Sequence, residues 1–175
     1  MNAVAFSVDY FLALEDTDPY PIKSESTLPM GYSFILPQLA QGSAPPPDLP
    51  LPFDVLVLTA QEYQPAQTMF PRVHLIHCPL DDAIPTRDEV RRAIYTGKLI
   101  AAHLRRGDRV LTTCFMGKNR SGWVNGNALM EIDYSSTDAI TLIKNARGDG
   151  ALGNVHFVNE LQHRERGRAR QAALV

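Results

Sequence analysis

Cys114, Phe115, Met116, Gly117, Lys118, Asn119 and Arg120, followed by Ser121 and Gly122, bring a thiol, a run of backbone amides and a guanidinium together in the chain. An apolar stretch, Val110-Leu111-Thr112-Thr113, comes just before them and a helical pattern just after. A loop that opens a helix offers free N–H groups and the positive end of the helix dipole, a combination suited to an anion with several oxygens. Gly117 accepts the positive φ of a tight concave turn, and Arg120 returns a planar fork matched to two of those oxygens. The same dipole and guanidinium favour the thiolate of a cysteine held between them. This chemistry fits a phosphate gripped by the amides of Phe115 to Arg120 and attacked at phosphorus by the Cys114 sulfur. Ser121 is placed to donate a hydrogen bond to that sulfur when it departs. A Cys-x5-Arg spacing alone arises by chance about 15% of the time here, and adding Gly117 and Ser121 brings that below about 1%.

Cleaving an ester this way needs a proton for the leaving oxygen, from a group on a movable loop. Cys78-Pro79-Leu80-Asp81-Asp82-Ala83-Ile84-Pro85 offers two carboxylates between a strand end and a helix start. Asp81 and Asp82 are both candidate acids, and both also suit a turn ahead of Thr86.

The elements that must position these groups read as follows. Asp54–Thr59, Val73–Cys78 and Arg109–Cys114 are short β-rich runs, and Tyr32–Leu36 and Leu39–Gln41 are further short strands around Pro37. The near-continuous apolar run Val55-Leu56-Val57-Leu58 marks a strand covered on both faces. Thr86 and Glu89 form a capping box opening a helix that Gly107 ends. After Cys114 the chain turns helical, with Val124, Ala128, Leu129 and Ile132 buried and with Gly122 and Gly126 letting that helix approach the sheet. A helix over residues 136–146 follows, and another is capped by Asn154. Strands joined by crossover helices imply a parallel central sheet in an α/β domain.

At 175 residues the chain fits one domain, and 45% hydrophobic with 21% charged residues exclude wholesale disorder. A net charge of −2 gives no reason to expect a nucleic-acid binder. No stretch approaches the ~20 apolar residues of a membrane span, the first residues lack a signal-like basic start, and a soluble cytoplasmic protein is expected. Two cysteines make no disulfide framework, and no Cys/His spacing implies a metal. Cys78 reads as a buried strand-end thiol, with a protective disulfide to Cys114 as the alternative. His74 and His77 fall on opposite sides of a strand and cannot easily share a metal. Trp123 reads as core. The basic run from His163 to Arg170 reads as a solvated, frayed terminus.

The pattern Cys114-x5-Arg120-Ser121 after an apolar strand resembles the cysteine-dependent protein tyrosine and dual-specificity phosphatases, and Gly117-Lys118-Asn119-Arg120-Ser121-Gly122 is most similar to the small bacterial dual-specificity type. The segments Ile143–Arg147 and Asn154–Phe157 resemble theirs too. The resemblance implies a three-layer α-β-α domain over residues 32–165, with a parallel-rich sheet of four to five strands flanked by helices, between an irregular lead-in (1–31) and a basic tail (166–175). It implies Cys114 as nucleophile, Arg120 as phosphate ligand and a phosphocysteine intermediate, with no cofactor and no metal. Asp82 lies 32 residues before Cys114, the spacing of the acid in the similar loop of the regenerating-liver phosphatases. The implied substrate is a phosphorylated protein or peptide, carrying phosphotyrosine and, if the cleft is shallow, phosphoserine or phosphothreonine. One position departs: the family has His before the nucleophile, where this chain has Thr113, whose hydroxyl could replace it in part. Alternatives that keep the loop are a phosphoinositide phosphatase, an RNA 5′-phosphatase and a phosphate-binding pseudophosphatase.

Overall fold

The computed structural model describes residues 31–47 and 50–173; the lead-in expected before Gly31 lies outside them. Strands β1 (Tyr32–Leu36), β2 (Leu39–Ser43), β3 (Val55–Ala60) and β4 (His74–Leu80) precede helix α1 (Arg87–Arg105), and strand β5 (Val110–Cys114) is followed by helices α2 (Arg120–Glu131), α3 (Ser136–Arg147) and α4 (Val155–Ala172). The strands form one sheet in the order β1-β2-β5-β3-β4. β1 runs antiparallel to β2, and the other pairings are parallel. This is the expected α/β domain with a parallel-rich sheet.

Strand alternation divides the core in two. Leu39, Val55, Val57, Ile76, Cys78, Leu80 and Val110 point to one face, where residues from all four helices cover them. Ala40, Leu56, Leu58, Leu75 and Leu111 point to the other. The layer beneath that second face is built among the described residues from Phe53, Phe70, Tyr63 and the segments that carry them. β3 and β5 are buried throughout, so the central strands are covered on both faces and cysteine ends one of them.

α2 is the helix that matters for the site, and it is the most enclosed. Every residue from Arg120 to Met130 is buried. Trp123 stacks on Phe157 of α4 with ring centroids 4.4 Å apart. Gly126 serves a different contact from the one expected: a Cβ there would meet Leu161 of α4 at 2.7 Å, so the close approach is helix to helix. α2's C-terminal end is held by Arg164 and Arg168 of α4, which bond Asn127, Met130 and Glu131. The basic run expected to fray is therefore helical as far as Ala172, with its stem tied to α2.

α1 begins with the expected capping box. Thr86 Oγ1 accepts from the Glu89 amide, and Glu89 Oε2 accepts from the Thr86 amide at 2.9 Å. Glu89 Oε1 also accepts from the Asp81 amide at 2.8 Å, so the box anchors the loop carrying the candidate acid. Among the described residues no helix is long and apolar enough to cross a membrane.

Candidate active site

β5 delivers Cys114 to the C-terminal edge of the sheet, and α2 begins at Arg120. The intervening loop turns on Gly117, whose φ is +63°. A Cβ at Gly117 would lie 2.3 Å from the Gly42 carbonyl carbon, so the loop packs backbone to backbone against the end of β2. Several groups grip the loop from outside. Gln41 Nε2 donates to the Gly117 and Lys118 carbonyls at 3.1 and 3.2 Å. Arg147 Nε donates to the Gly117 carbonyl at 3.1 Å, and the Leu152 amide donates to that of Lys118 at 3.3 Å. The amides from Met116 to Asn119 donate to no acceptor among the described residues.

Inside the loop the Cys114 sulfur, almost fully buried, lies 3.4 Å from Ser121 Oγ. Arg120 is buried as well, and its two Nη atoms reach Glu62 Oε2 at 2.5 Å and Oε1 at 2.8 Å. Nη1 also donates to the Leu80 carbonyl. Its Nε is buried with no partner among the described residues. The hydrogen bonds that Arg120 donates to Glu62 hold it further in its charged form, burial opposes this, and the charges of Cys114, Glu62 and Asp82 add to the hold. Arg147 is a second cation near the sulfur. Burial pulls its pKa below the ordinary guanidinium range, and the Cys114 charge works the other way.

The carboxyl of Glu62 is held below its ordinary range, first by the hydrogen bond from Arg120, with desolvation opposing. A folded-state value below the unfolded one means that the pairing is fully formed above 4.5 and fades as pH falls through the lowered value. Glu62→Gln removes the charge and keeps the shape. The expected result is a rise of about three- to tenfold in the Ki of inorganic phosphate at neutral pH. The wild-type advantage should shrink below pH 4.5, which competition assays across pH would follow.

Asp82 meets the loop directly. Asn119 Nδ2 donates to its Oδ2 at 3.0 Å, and Asn154 Nδ2, from the N-cap of α4, donates to its Oδ1 at 3.1 Å. Asn154 Nδ2 also reaches the Ala83 carbonyl. Asp81 instead turns inward on its own loop, accepting from the Asp82 amide at 2.8 Å. Of the two candidate acids, Asp82 is the one tied to the Cys114–Arg120 loop.

Other sequence expectations fall out unevenly. Phe115, Met116 and Lys118 give the loop their backbone, while their side chains are exposed at the rim. Thr113 Oγ1 donates to the Val57 carbonyl of β3 at 3.2 Å, so its hydroxyl ties strand to strand and does not touch the loop. Cys78 and Cys114 do not end neighbouring strands, since β3 lies between theirs, and both thiols are free. Burial pushes the Cys78 thiol up to about 11, partly offset by a hydrogen bond from Thr96. His77 bonds Gln64, and His74 lies against the His103 ring; among the described residues no group of side chains could hold a metal.

Sequence reasoning missed Glu62, Gln41 and Arg147, and took Asn154 as a cap alone. Two signals were there. Glu62 follows the C-terminal end of a buried parallel strand, where α/β sheets bind ligands. Gln41 is a polar residue directly after the apolar pair Leu39-Ala40 in a short strand.

The sequence matches no protein-family model and no curated protein. Solved structures do match. A mouse putative dual specificity phosphatase complexed with zinc tungstate is 24% identical, with a TM-score of 0.68 over 85% of this chain and 94% of its own. Human DUSP28 is 23% identical, with a TM-score of 0.66 over 83% and 99%. A human tyrosine phosphatase-like serine/threonine/tyrosine-interacting protein is 19% identical, with a TM-score of 0.64 over 79% and 97%. A five-stranded mixed sheet carrying four helices on one face, ended by a cysteine at the mouth of α2, thus has the fold of the dual-specificity and tyrosine phosphatases.

Proposed function

We propose that the chain hydrolyses phosphomonoesters on a phosphorylated protein or peptide through a phosphocysteine intermediate. The observation carrying this reading is the buried Arg120 Nε, which has no acceptor among the described residues, next to a loop whose Met116 to Asn119 amides have none there either. A buried guanidinium N–H left unpaired costs free energy, and a phosphoryl oxygen would satisfy it.

The Cys114 thiolate attacks phosphorus, forming an S–P bond as the ester P–O bond breaks, and Asp82 protonates the leaving oxygen. Water then attacks phosphorus, Asp82 takes its proton, and the S–P bond breaks, with Ser121 donating to the departing thiolate. Arg120 and the amides of Phe115, Met116, Gly117, Lys118 and Asn119 stabilise the equatorial oxygens in both steps. Each step balances without a metal ion. Rapid acid quench during turnover of p-nitrophenyl phosphate should trap a phosphoryl mass on the peptide carrying Cys114. Hydrolysis with no such adduct, or an adduct elsewhere, would overturn the mechanism.

Asp82→Asn is expected to lower kcat on a phosphotyrosyl peptide by about 10²–10³-fold. An anhydride leaves without a proton, so activity lost on that peptide but kept on a 5′-triphosphate RNA would favour the RNA 5′-phosphatase reading. The second reading, a phosphate-binding pseudophosphatase, is favoured by Thr113, whose hydroxyl is spent on β3. Tight phosphopeptide binding without turnover by the wild-type chain would establish it.

A further inference from the structure

We infer that Gln41 is the positioning residue that aims the phosphate loop, doing from β2 what Thr113 does not do from β5. The proposal rests on the phosphatase reading above and names the device that keeps its oxyanion site formed.

A peptide unit is planar and trans, so its C=O and N–H point in opposite directions. Fixing the Gly117 carbonyl therefore fixes the Lys118 N–H, and fixing the Lys118 carbonyl fixes the Asn119 N–H. The single Nε2 group of Gln41 donates to both carbonyls. Two successive loop amides are thereby turned away from β2. Each carbonyl has a second donor, Arg147 for Gly117 and the Leu152 amide for Lys118. Gln41 is the group shared by both.

Gln41 is itself held. Its side chain has no exposure to solvent, and Asn125 Nδ2 of α2 donates to its Oε1 at 3.2 Å. That bond fixes which end of the amide faces the loop, because the donor end is then the only one left for the carbonyls. Asn125 is also buried, so the chain of contacts runs from α2 through Gln41 to the loop without reaching water. A buried polar residue in the run Leu39-Ala40-Gln41-Gly42 costs desolvation unless it is fully paired, and here the pairing is made to the loop. An amide does not titrate, so this support is the same at every pH at which the protein stays folded.

The test uses Gln41→Leu, which keeps the bulk and removes the amide, and Asn125→Ala, which leaves Gln41 in place and releases its orientation. Inhibition by tungstate and by inorganic phosphate, kcat and KM on p-nitrophenyl phosphate, and thermal melting are measured on each. Gln41→Leu is expected to weaken tungstate by about tenfold or more and to lower kcat by about 10–100-fold, as misaimed oxyanion donors do. Asn125→Ala should move both in the same direction by about three- to tenfold. A lowered melting temperature with wild-type Ki and kcat in the folded protein would make Gln41 merely structural and overturn the proposal. If Gln41→Leu does not fold, Asn125→Ala decides alone: wild-type Ki and kcat there overturn it. A wild-type chain that neither binds tungstate nor turns over the ester overturns the phosphatase reading itself. A wild-type chain that does both beside two unaltered variants overturns the role of Gln41 alone.

Discussion

Cys114→Ser is expected to remove turnover of p-nitrophenyl phosphate by at least about 10⁴-fold while leaving the protein folded and able to bind tungstate. The substitution changes one atom. A serine hydroxyl is a far weaker acid than a thiol, so the dipole of α2 and the guanidinium of Arg120 leave it protonated, and it is a poor nucleophile toward an anionic phosphoryl group. The activation barrier rises by about 5 kcal/mol for a factor of that size. Binding rests on other atoms, the loop amides and the Arg120 fork, which serine does not disturb. The buried position tolerates it too, since the oxygen can keep the hydrogen bond that the sulfur makes with Ser121. A serine variant with wild-type turnover would eliminate the phosphocysteine, and one that lost tungstate binding as well would mean that the sulfur shapes the loop.

The groups of the proposed mechanism were legible to different depths, and the reason lies in sequence distance. The loop from Cys114 to Gly122 is local: strand, tight turn and helix start follow one another, so spacing alone places the thiol, the amides and the arginine. The helix caps are local as well, and Thr86, Gly107 and Asn154 stand at or just beyond helix ends. Asp82 was reachable because it follows a strand and precedes a cap. The resemblance's spacing to Cys114 put Asp82 ahead of Asp81, but the contacts that tie Asp82 to the loop were not legible, since they come from Asn119 and Asn154, each more than thirty residues away along the chain.

The supports of the site are non-local, and these were missed. Glu62 meets Arg120 across 58 residues, and Gln41 meets Gly117 across 76. Their carboxylate and amide look ordinary in the sequence. Only the order β2-β5-β3 brings the ends of strands two and three to either side of β5. The same order removes the alternative of a Cys78–Cys114 disulfide between neighbouring strand ends, because β3 separates the two strands. Thr113 was misjudged for a related reason: its side-chain direction is set by the β-alternation of β5, which turns it toward Val57 and away from the loop.

Gly117→Ala is expected to lower kcat by about 10²-fold or more and to weaken tungstate, whereas Gly107→Ala is expected to leave both unchanged. The two glycines share a backbone state, with φ of +63° and +89°, and each alanine carries the cost of about 1–2 kcal/mol for a Cβ in that region. They differ in what the new carbon meets. At Gly107 the nearest atom is the flexible amide end of Gln38, 3.8 Å away, an ordinary contact. At Gly117 it meets the carbonyl carbon, carbonyl oxygen and amide nitrogen of Gly42 and Ser43, all within 2.6 Å. Those atoms belong to β2 or its pairing with β5, so they cannot rotate aside as a side chain can. The loop must move instead, and a shift of that size turns the Lys118 and Asn119 amides off the phosphate. Melting temperatures separate the two contributions. A similar small loss of stability in both variants, with activity lost in Gly117→Ala alone, assigns the effect to the aim of the loop. Equal activity in the two would mean that the loop is not held against β2 during turnover, and the roles given to Gly42, Gly117 and Gln41 would fail together.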